Sequence, residues 1–384
     1  MTKSNFFNII DYGLSKIRIA IFDSNLNICY SESLLKKSID KSENNFDILK
    51  NIIRKAEKKI ASHIEDIILI LDSKKTLVID VSLQKKLDGN MDFTKAYQFL
   101  TQEICQIISD NYNEYEIIHT IFNNGIIDKK TFDSLPKNLK DVKQIKIDYK
   151  VICFPKKNIQ NINNYFNKNN LSVSKIFCTS YLKSQSYLSK LNLDKVSFLD
   201  IGYERSSLVT YENKKLKYIN SINVGSHNIT KDISKIFKIE EDHAEKIKKL
   251  FNKSETEFSY NNNRDTNLSL KEIITKNISI DLLKQVVLYR VQEIFDLTFN
   301  KSSISNFNFE ETNLFLIGDG SIMFNNNSFY LNDKFGFKSI NYFEESDIQI
   351  CNSGASYYVK NFGTPKITYK KRGLFERFFN LFDI

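Results

Sequence analysis

Two short stretches of the 384-residue sequence carry residues that could grip a phosphate. In each, an aspartate closes an apolar run and a glycine follows two residues later: Asn8-Ile-Ile-Asp11-Tyr-Gly13 in one place, Ser197-Phe-Leu-Asp200-Ile-Gly202 in the other. An aspartate at the end of a buried strand, with glycine at the tip of a hairpin, sets a carboxylate beside backbone N–H groups that can point at an anion. Two such hairpins facing each other would hold a polyphosphate between them, and Asp11 and Asp200 would hold Mg²⁺ through its waters. A single motif of this kind is also what an ordinary turn looks like. Its recurrence at equivalent places of a repeated strand pattern gives it weight.

The elements that must position these groups do repeat. Residues 7–11 read as a buried strand, 12–15 as a turn, 17–22 as its return and 28–33 as a third strand. Residues 195–201, 206–211 and 215–224 follow the same design. Between the two sets the spacing predicts a helix over 45–62, with Phe46, Leu49, Ile52, Ile53 and Ile60 near helical period. Strands are predicted at 67–71, 77–81, 115–122, 145–154 and 173–178, and helices at 94–109, 158–169 and 179–191. A long helix over 284–300 comes later. The pattern is α/β with two similar halves.

Composition narrows the function classes. The five cysteines are scattered without C-x-x-C spacing and read as buried thiols in a reducing compartment, so neither zinc nor a disulfide framework is implied. The formal charge of +9 raises nucleic acid as a partner, but the lysines are spread along helices beside glutamates and no aromatic-basic motif accompanies them. Nucleic acid is therefore set aside. No apolar window reaches the roughly 20 residues that a membrane span needs. The N-terminal apolar stretch of Phe6, Phe7, Ile9 and Ile10 is broken by Asn8 and stopped by Asp11, which is not a signal peptide. Glycine and proline are scarce, at 11 and 3, so glycine loops are expected to be eroded.

Residues 373–384 have the character of a helix that lies on a membrane. At about 100° per residue, Leu374, Phe375, Phe378, Phe379, Leu381 and Phe382 fill one arc, and Glu376, Arg377, Asn380 and Asp383 the opposite one. Lys370, Lys371 and Arg372 come just before, placed to attract anionic lipids where the apolar face is presented. The plainer alternative is a tail that docks back onto its own domain.

Taken in order, the motifs resemble the FtsA family of bacterial cell division proteins, within the actin, Hsp70 and sugar kinase superfamily, over nearly the whole chain. Asp11-Tyr-Gly13-Leu-Ser15-Lys16 is similar to the family's first phosphate motif, D-x-G-[TS]-S-K. Val224-Gly225-Ser-His227-Asn-Ile-Thr230-Lys-Asp232-Ile233 is similar to V-G-G-x-H-[VI]-T-x-D-I, with Ser226 replacing a glycine. Ala244-Glu245-Lys246-Ile247-Lys248 resembles A-E-x-x-K, whose Glu and Lys reach the nucleoside in the family. Leu316-Ile-Gly318-Asp319-Gly320-Ser321 resembles the adenosine loop, and Asn352-Ser-Gly354-Ala355-Ser356 the closing G-A motif. The resemblance implies an actin-like ATPase fold that binds ATP or ADP with Mg²⁺. The implied nucleotide residues are Asp11, Gly13, Ser15, Lys16, Asp200, Gly202, Ser206, Gly225, Glu245, Lys248, Gly318, Asp319 and Gly320.

One motif departs from the pattern. The family's second phosphate loop reads D-[IM]-G-G-G-T-T, whereas Asp200-Ile-Gly202 continues as Tyr203-Glu204-Arg205-Ser206. Bulky side chains stand where bare backbone approaches the β- and γ-phosphates. Either the hairpin turns Tyr203 and Glu204 outward while Arg205 compensates charge, or nucleotide binds weakly. At most a slow ATPase is expected.

The resemblance also implies a layout. Subdomain 1A would occupy 1–81 and 155–193, an inserted 1C 82–154, 2A 194–228 and 310–353, and 2B 229–309; 354–372 would return to 1A and link to the terminal helix. Leu288-Tyr-Arg290-Val-Gln-Glu293-Ile-Phe295 resembles x-x-R-x-x-E-I, whose arginine helps receive the C-terminal peptide of the tubulin-like protein FtsZ. The implied function is a polymerising adaptor that self-associates into filaments and tethers FtsZ to the inner face of the cell membrane at the division site. Subdomain 1C would meet other divisome proteins. Two alternatives stay open: a PilM-like pilus assembly actin homologue, whose relatives lack such a tail, and a degenerate actin-fold scaffold that binds no nucleotide.

Overall fold

A computed structural model of the chain describes residues 6–36, 45–73, 75–87, 93–132, 142–251, 279–300, 308–324 and 336–363. Lys370, Lys371, Arg372 and the apolar arc of residues 373–384 lie outside the described residues. The chain opens with β1 (Phe7–Tyr12), β2 (Lys16–Phe22), β3 (Ile28–Leu35), α1 (Asn45–Ile60) and β4 (Asp66–Leu71). Next come β5 (Leu77–Lys86), α2 (Phe93–Asn111), β6 (Tyr115–Ile127), β7 (Lys130–Phe132) and β8 (Gln144–Pro155). α3 (Lys156–Asn167), β9 (Ser172–Cys178) and α4 (Thr179–Leu188) lead into β10 (Lys195–Ile201), β11 (Ser206–Glu212) and β12 (Lys215–Ile222). The rest is α5 (Ser226–Phe237), α6 (Glu241–Phe251), α7 (Ile280–Asn300), β13 (Asn313–Ile317), a 3₁₀ helix (Asp319–Phe324), β14 (Ser339–Tyr342) and α8 (Gln349–Phe362).

The repeat is borne out in the strand order. One sheet runs β3-β2-β1-β4-β9 and the other β12-β11-β10-β13-β14, so each has a hairpin whose first strand also pairs with a later, parallel strand. In both, the centre is a strand buried on two faces, written as a near-continuous apolar run: Phe7, Ile9 and Ile10 in β1, Val196, Phe198 and Leu199 in β10. α5, α6 and α7 cover the second sheet through Ile229, Ile233, Ala244, Ile247, Val287, Val291 and Phe295. α8 covers one face of the first sheet through Ile350, Cys351 and Ala355, packed with Ile9, Ile70 and Phe177.

A third sheet, β5-β8-β6-β7, stands apart from the two repeated ones and takes up most of the stretch expected as the insert, 82–154. β5 pairs with β8 in unbroken register from Leu77 opposite Cys153 to Lys86 opposite Gln144, so position 82 falls in mid-strand and the sheet begins at Leu77. Strand alternation lets β8 serve two cores. Tyr149, Val151 and Cys153 pack against α2 residues such as Leu100 and Ile104, while Ile152 and Phe154 join the main core.

His119 of β6 fastens this insert to the body. Its ring lies 4.8 Å from Tyr181 and 5.6 Å from Phe177, its Nε2 accepts the Cys178 N–H at 3.0 Å, and its Nδ1 sits 3.3 Å from the Tyr357 hydroxyl. An acceptor at Nε2 places the proton on Nδ1 of a neutral ring. Burial pushes the imidazole down to about 3.

Candidate functional site

The hairpin registers bring the two aspartates to matching places. Tyr12 pairs with Ile17, leaving Gly13 to Lys16 between them at the first turn; Ile201 pairs with Ser206, leaving Gly202 to Arg205 at the second. Asp11 and Asp200 each stand one residue before the strand's end and face a shared cavity of about 130 Å³, several times the room one ordered water requires. Gly13, Ser15, Arg18 and Asp72 line it from the first half, Gly202, Arg205 and Asp319 from the second, with Lys183 reaching in from α4.

The second turn sends Glu204 outward and Arg205 inward, but Tyr203 lines the cavity instead of turning out. Tyr203 stacks on His227 with ring centroids 4.4 Å apart, Glu204 is exposed, and Arg205 is buried in the cavity wall. The first N–H groups of α5 do not face the cavity as free donors. Ser226 N–H donates to the Gly202 carbonyl at 2.9 Å and His227 N–H to the Tyr203 carbonyl at 2.7 Å, so the helix start is spent on the turn itself.

Cations in the cleft are bound to its carboxylates. Arg18 stands directly across the hairpin from Asp11 and donates through Nη1 to its Oδ2 at 2.8 Å, while Nη2 reaches Asp319 at 3.0 Å. Lys183 pairs with Asp200 at 3.2 Å and with Glu345 at 2.9 Å. Lys16, at the rim, bridges Asp319 at 3.1 Å and Asp347 at 2.9 Å. Burial pushes the Asp11 carboxyl up, and the nearby Arg18 and Lys183 charges pull the other way without cancelling it. Burial works against the Lys183 charge too, but Asp200 and Glu345 outweigh it and hold the ammonium firmly protonated.

The remaining expected residues surround this centre without entering it. Gly318 has φ +90°, and an added Cβ would lie 2.1 Å from Asp200 Oδ1, so only glycine lets the 318–320 turn sit against that carboxylate. Gly225 packs just as closely on the second turn, where a Cβ would meet the Arg205 nitrogen at 2.6 Å. Ser206 turns away and donates to the Val224 carbonyl at 2.8 Å. Lys248 is buried and donates to the Ser226 carbonyl at 3.1 Å and Thr230 Oγ1 at 2.9 Å, with Glu245 at 2.7 Å. Glu245 and Lys248 thus clamp α6 to α5 beside the turn that carries Gly320. Arg290, the residue expected to receive the FtsZ peptide, grips Asp232 of α5 through Nε at 2.6 Å and Nη2 at 2.9 Å, and also pairs with Glu293.

Arg18, Lys183, Asp72, Glu345 and Asp347 escaped the sequence reading. One signal was available for Arg18, because four residues between the paired Tyr12 and Ile17 place position 18 opposite Asp11. Asp11 and Asp200, the carboxylates expected to hold Mg²⁺ through its waters, each face a cation, and Asp72 and Asp319 add two further carboxylates to the lining of the same cavity, a donor set that could take a hydrated divalent ion.

Comparisons with known proteins bear on the family and the fold. The family model of cell division protein FtsA matches residues 197–353, the stretch that carries Asp200, the second turn, α5 to α7 and the 318–320 turn. The cell division protein FtsA of Helicobacter pylori, in two strains, is 24% identical over 137 residues. That match spans 35% of this chain and 27% of the relative's length. Among solved structures, the PilM-PilN type IV pilus biogenesis complex aligns over 94% of this chain and 99% of its own at TM-score 0.58 and 11% identity. MreB 5 of Spiroplasma citri bound to AMPPNP aligns over 93% and 97% at TM-score 0.51 and 12% identity. The fold is that of the actin-like ATPases.

Proposed function

We propose that this FtsA-like, actin-fold protein is a nucleotide-binding, polymerising adaptor of bacterial cell division, which tethers FtsZ filaments to the inner face of the cell membrane. The observation that carries the reading is the pair of equivalent hairpins closing on one cleft, with the FtsA family match over the half that holds the second hairpin. That match also favours the division adaptor over a pilus assembly role, since the PilM likeness at 11% identity speaks for fold alone. ATP or ADP enters with its phosphates between Asp11 and Asp200, and the halves close on it. Slow hydrolysis at most accompanies binding, because Arg205 and Tyr203 occupy the turn where bare backbone approaches phosphate in the family.

The terminal segment supplies the membrane contact. A helix with six large apolar residues gives reversible attachment, and linking many copies in one filament multiplies their hold. The test is co-sedimentation with anionic vesicles, with and without ATP, for the full chain, for a chain ending before Gly373, and for Phe378→Asp with Phe379→Asp. The full chain is expected to pellet with vesicles. The other two should stay in solution with unchanged thermal stability, since a charge inside the apolar arc costs roughly 2 kcal/mol or more per site at the acyl boundary. A double variant that loses stability and still pellets would make the segment part of the core and end the tether reading.

A further inference from the structure

Another cavity, of about 390 Å³, is walled by three parts of the fold: β6 of the third sheet, α4, and the turn between β11 and β12. Its volume falls in the range of small-molecule sites. α4 gives Thr179 and Lys183 to the cleft between the aspartates, and Tyr181 and Gln185 to this cavity. Two residues along a helix turn through about 200°, so the two cavities lie on opposite sides of α4.

Two of the walls carry features that suit a ligand. In β6 the ladder to β8 skips a residue: Phe122 pairs with Tyr149 and Asn124 with Asp148, leaving Asn123 as a bulge, a device that re-aims a side chain. The Asn123 amide oxygen is buried without a hydrogen-bond partner among the described residues, which is costly until a donor arrives, and the amide turns on a soft torsion. In the two-residue turn after β11, Asn213 and Lys214 have φ +53° and +62°, a conformation in which glycine is the unstrained choice for the second place. Lys214 stands there instead, exposed and on the cavity. Lys215 lines the cavity too and donates to Asn124 Oδ1. The described lining holds no carboxylate. Of the acids beside it, Glu212 pairs with Lys217 at 3.2 Å and Asp148 accepts from Ser82.

We propose that this cavity binds a small polyhydroxy acid, with its anionic group held by Lys214 and Lys215 and a hydroxyl donated to the Asn123 amide oxygen. The site stands apart from the nucleotide reading, since none of these three residues lines the cleft. An occupant touches the third sheet and the second half at once.

Methyl NMR of the full chain, labelled at isoleucine and leucine, reads the cavity through Ile121 and Leu216. Titrations with gluconate, sorbitol and hexanoate separate the acid from the hydroxyls. Gluconate is expected to shift both methyl signals with saturation, at a dissociation constant of about 1 mM or tighter, and sorbitol and hexanoate to bind at least about tenfold more weakly. Lys214→Gly suits the turn and should keep or raise the melting temperature while weakening gluconate by about threefold or more. Asn123→Leu should leave gluconate no better a ligand than hexanoate. Gluconate that gives no saturable shift at Ile121 and Leu216, sorbitol that binds as well as gluconate, or undiminished gluconate binding by Lys214→Gly overturns the proposal.

Discussion

His119→Gln should flatten the acid dependence of stability, by an amount the structure fixes. The imidazole is fully enclosed by Phe177, Tyr181 and Tyr357 and accepts the Cys178 N–H, so it is neutral in the folded chain and its pKa is depressed to about 3. In the unfolded chain it titrates near its ordinary value of about 6.5. A depressed folded pKa means that its contribution is present above the unfolded pKa and is lost as pH falls, because the unfolded chain takes up a proton that the folded one refuses. Each pH unit below about 6.5 then costs about 1.4 kcal/mol, which sums to about 2 kcal/mol between roughly pH 7.5 and pH 5. Glutamine keeps an acceptor for Cys178 but has no proton to gain. Urea midpoints for both proteins across that range should converge as pH falls, with wild type losing about 2 kcal/mol more than the variant. Parallel pH profiles, or a His119 ring signal that titrates above about pH 5 in the folded protein, would refute the reasoning.

Two further expectations concern the second half. Arg290→Glu should weaken capture of an FtsZ C-terminal peptide and also lower stability by about 1–2 kcal/mol, since it breaks a two-pronged, three-quarters-buried pair with Asp232 and sets carboxylates together. Adding Asp232→Arg should recover the stability in thermal unfolding; peptide affinity that recovers with it would mean Arg290 acts only through the α5–α7 clamp. Gly318→Ala should cost about 1–3 kcal/mol for a side chain at φ +90° and push Asp200 out of place, seen as a lowered melting temperature together with weakened ATP binding. An alanine variant matching wild type in both would show that the turn relaxes freely.

The repeated sheets were legible because their signal is local. Each needs only an apolar run, an aspartate, a glycine and a return strand, all within one hairpin. The ionic cleft was not legible for the opposite reason. Lys183 looks like any helical lysine, and its partners Asp200 and Glu345 lie 17 and 162 residues away along the chain. The partner of Arg290 is equally hidden, since only the packing of α7 on α5 brings Asp232, 58 residues distant, beneath it. The strand expected at 77–81 is apolar enough to suit either sheet. Pairing with β8, which no local pattern announces, decides the matter. Arg205 falls between these cases, since the departure from a glycine loop was visible and its direction was settled only by Tyr203 stacking on His227.

The two halves share a backbone plan and differ in where their charges come from. Opposite Asp11 stands Arg18, but the equivalent place opposite Asp200 holds Ser207, and Asp200 takes its cation from Lys183 on the helix leading from the first sheet to the second. The carboxylates that share these cations, Asp319 and Glu345, follow strands of the second sheet. The ion pairs therefore join the halves across the cleft. A phosphate arriving at Arg18 and Lys183 would compete with Asp319 and Glu345 for the same donors, so that ligand binding and the grip between the halves would draw on one set of charges. A ligand shifts the closure equilibrium only by its differential contact with the open and closed forms. Here that difference would be set by how many donors a phosphate takes from the second half's carboxylates, and because the Asp319 side chain is 47% exposed and that of Glu345 9%, added salt would screen the Arg18–Asp319 pair more than the Lys183–Glu345 pair.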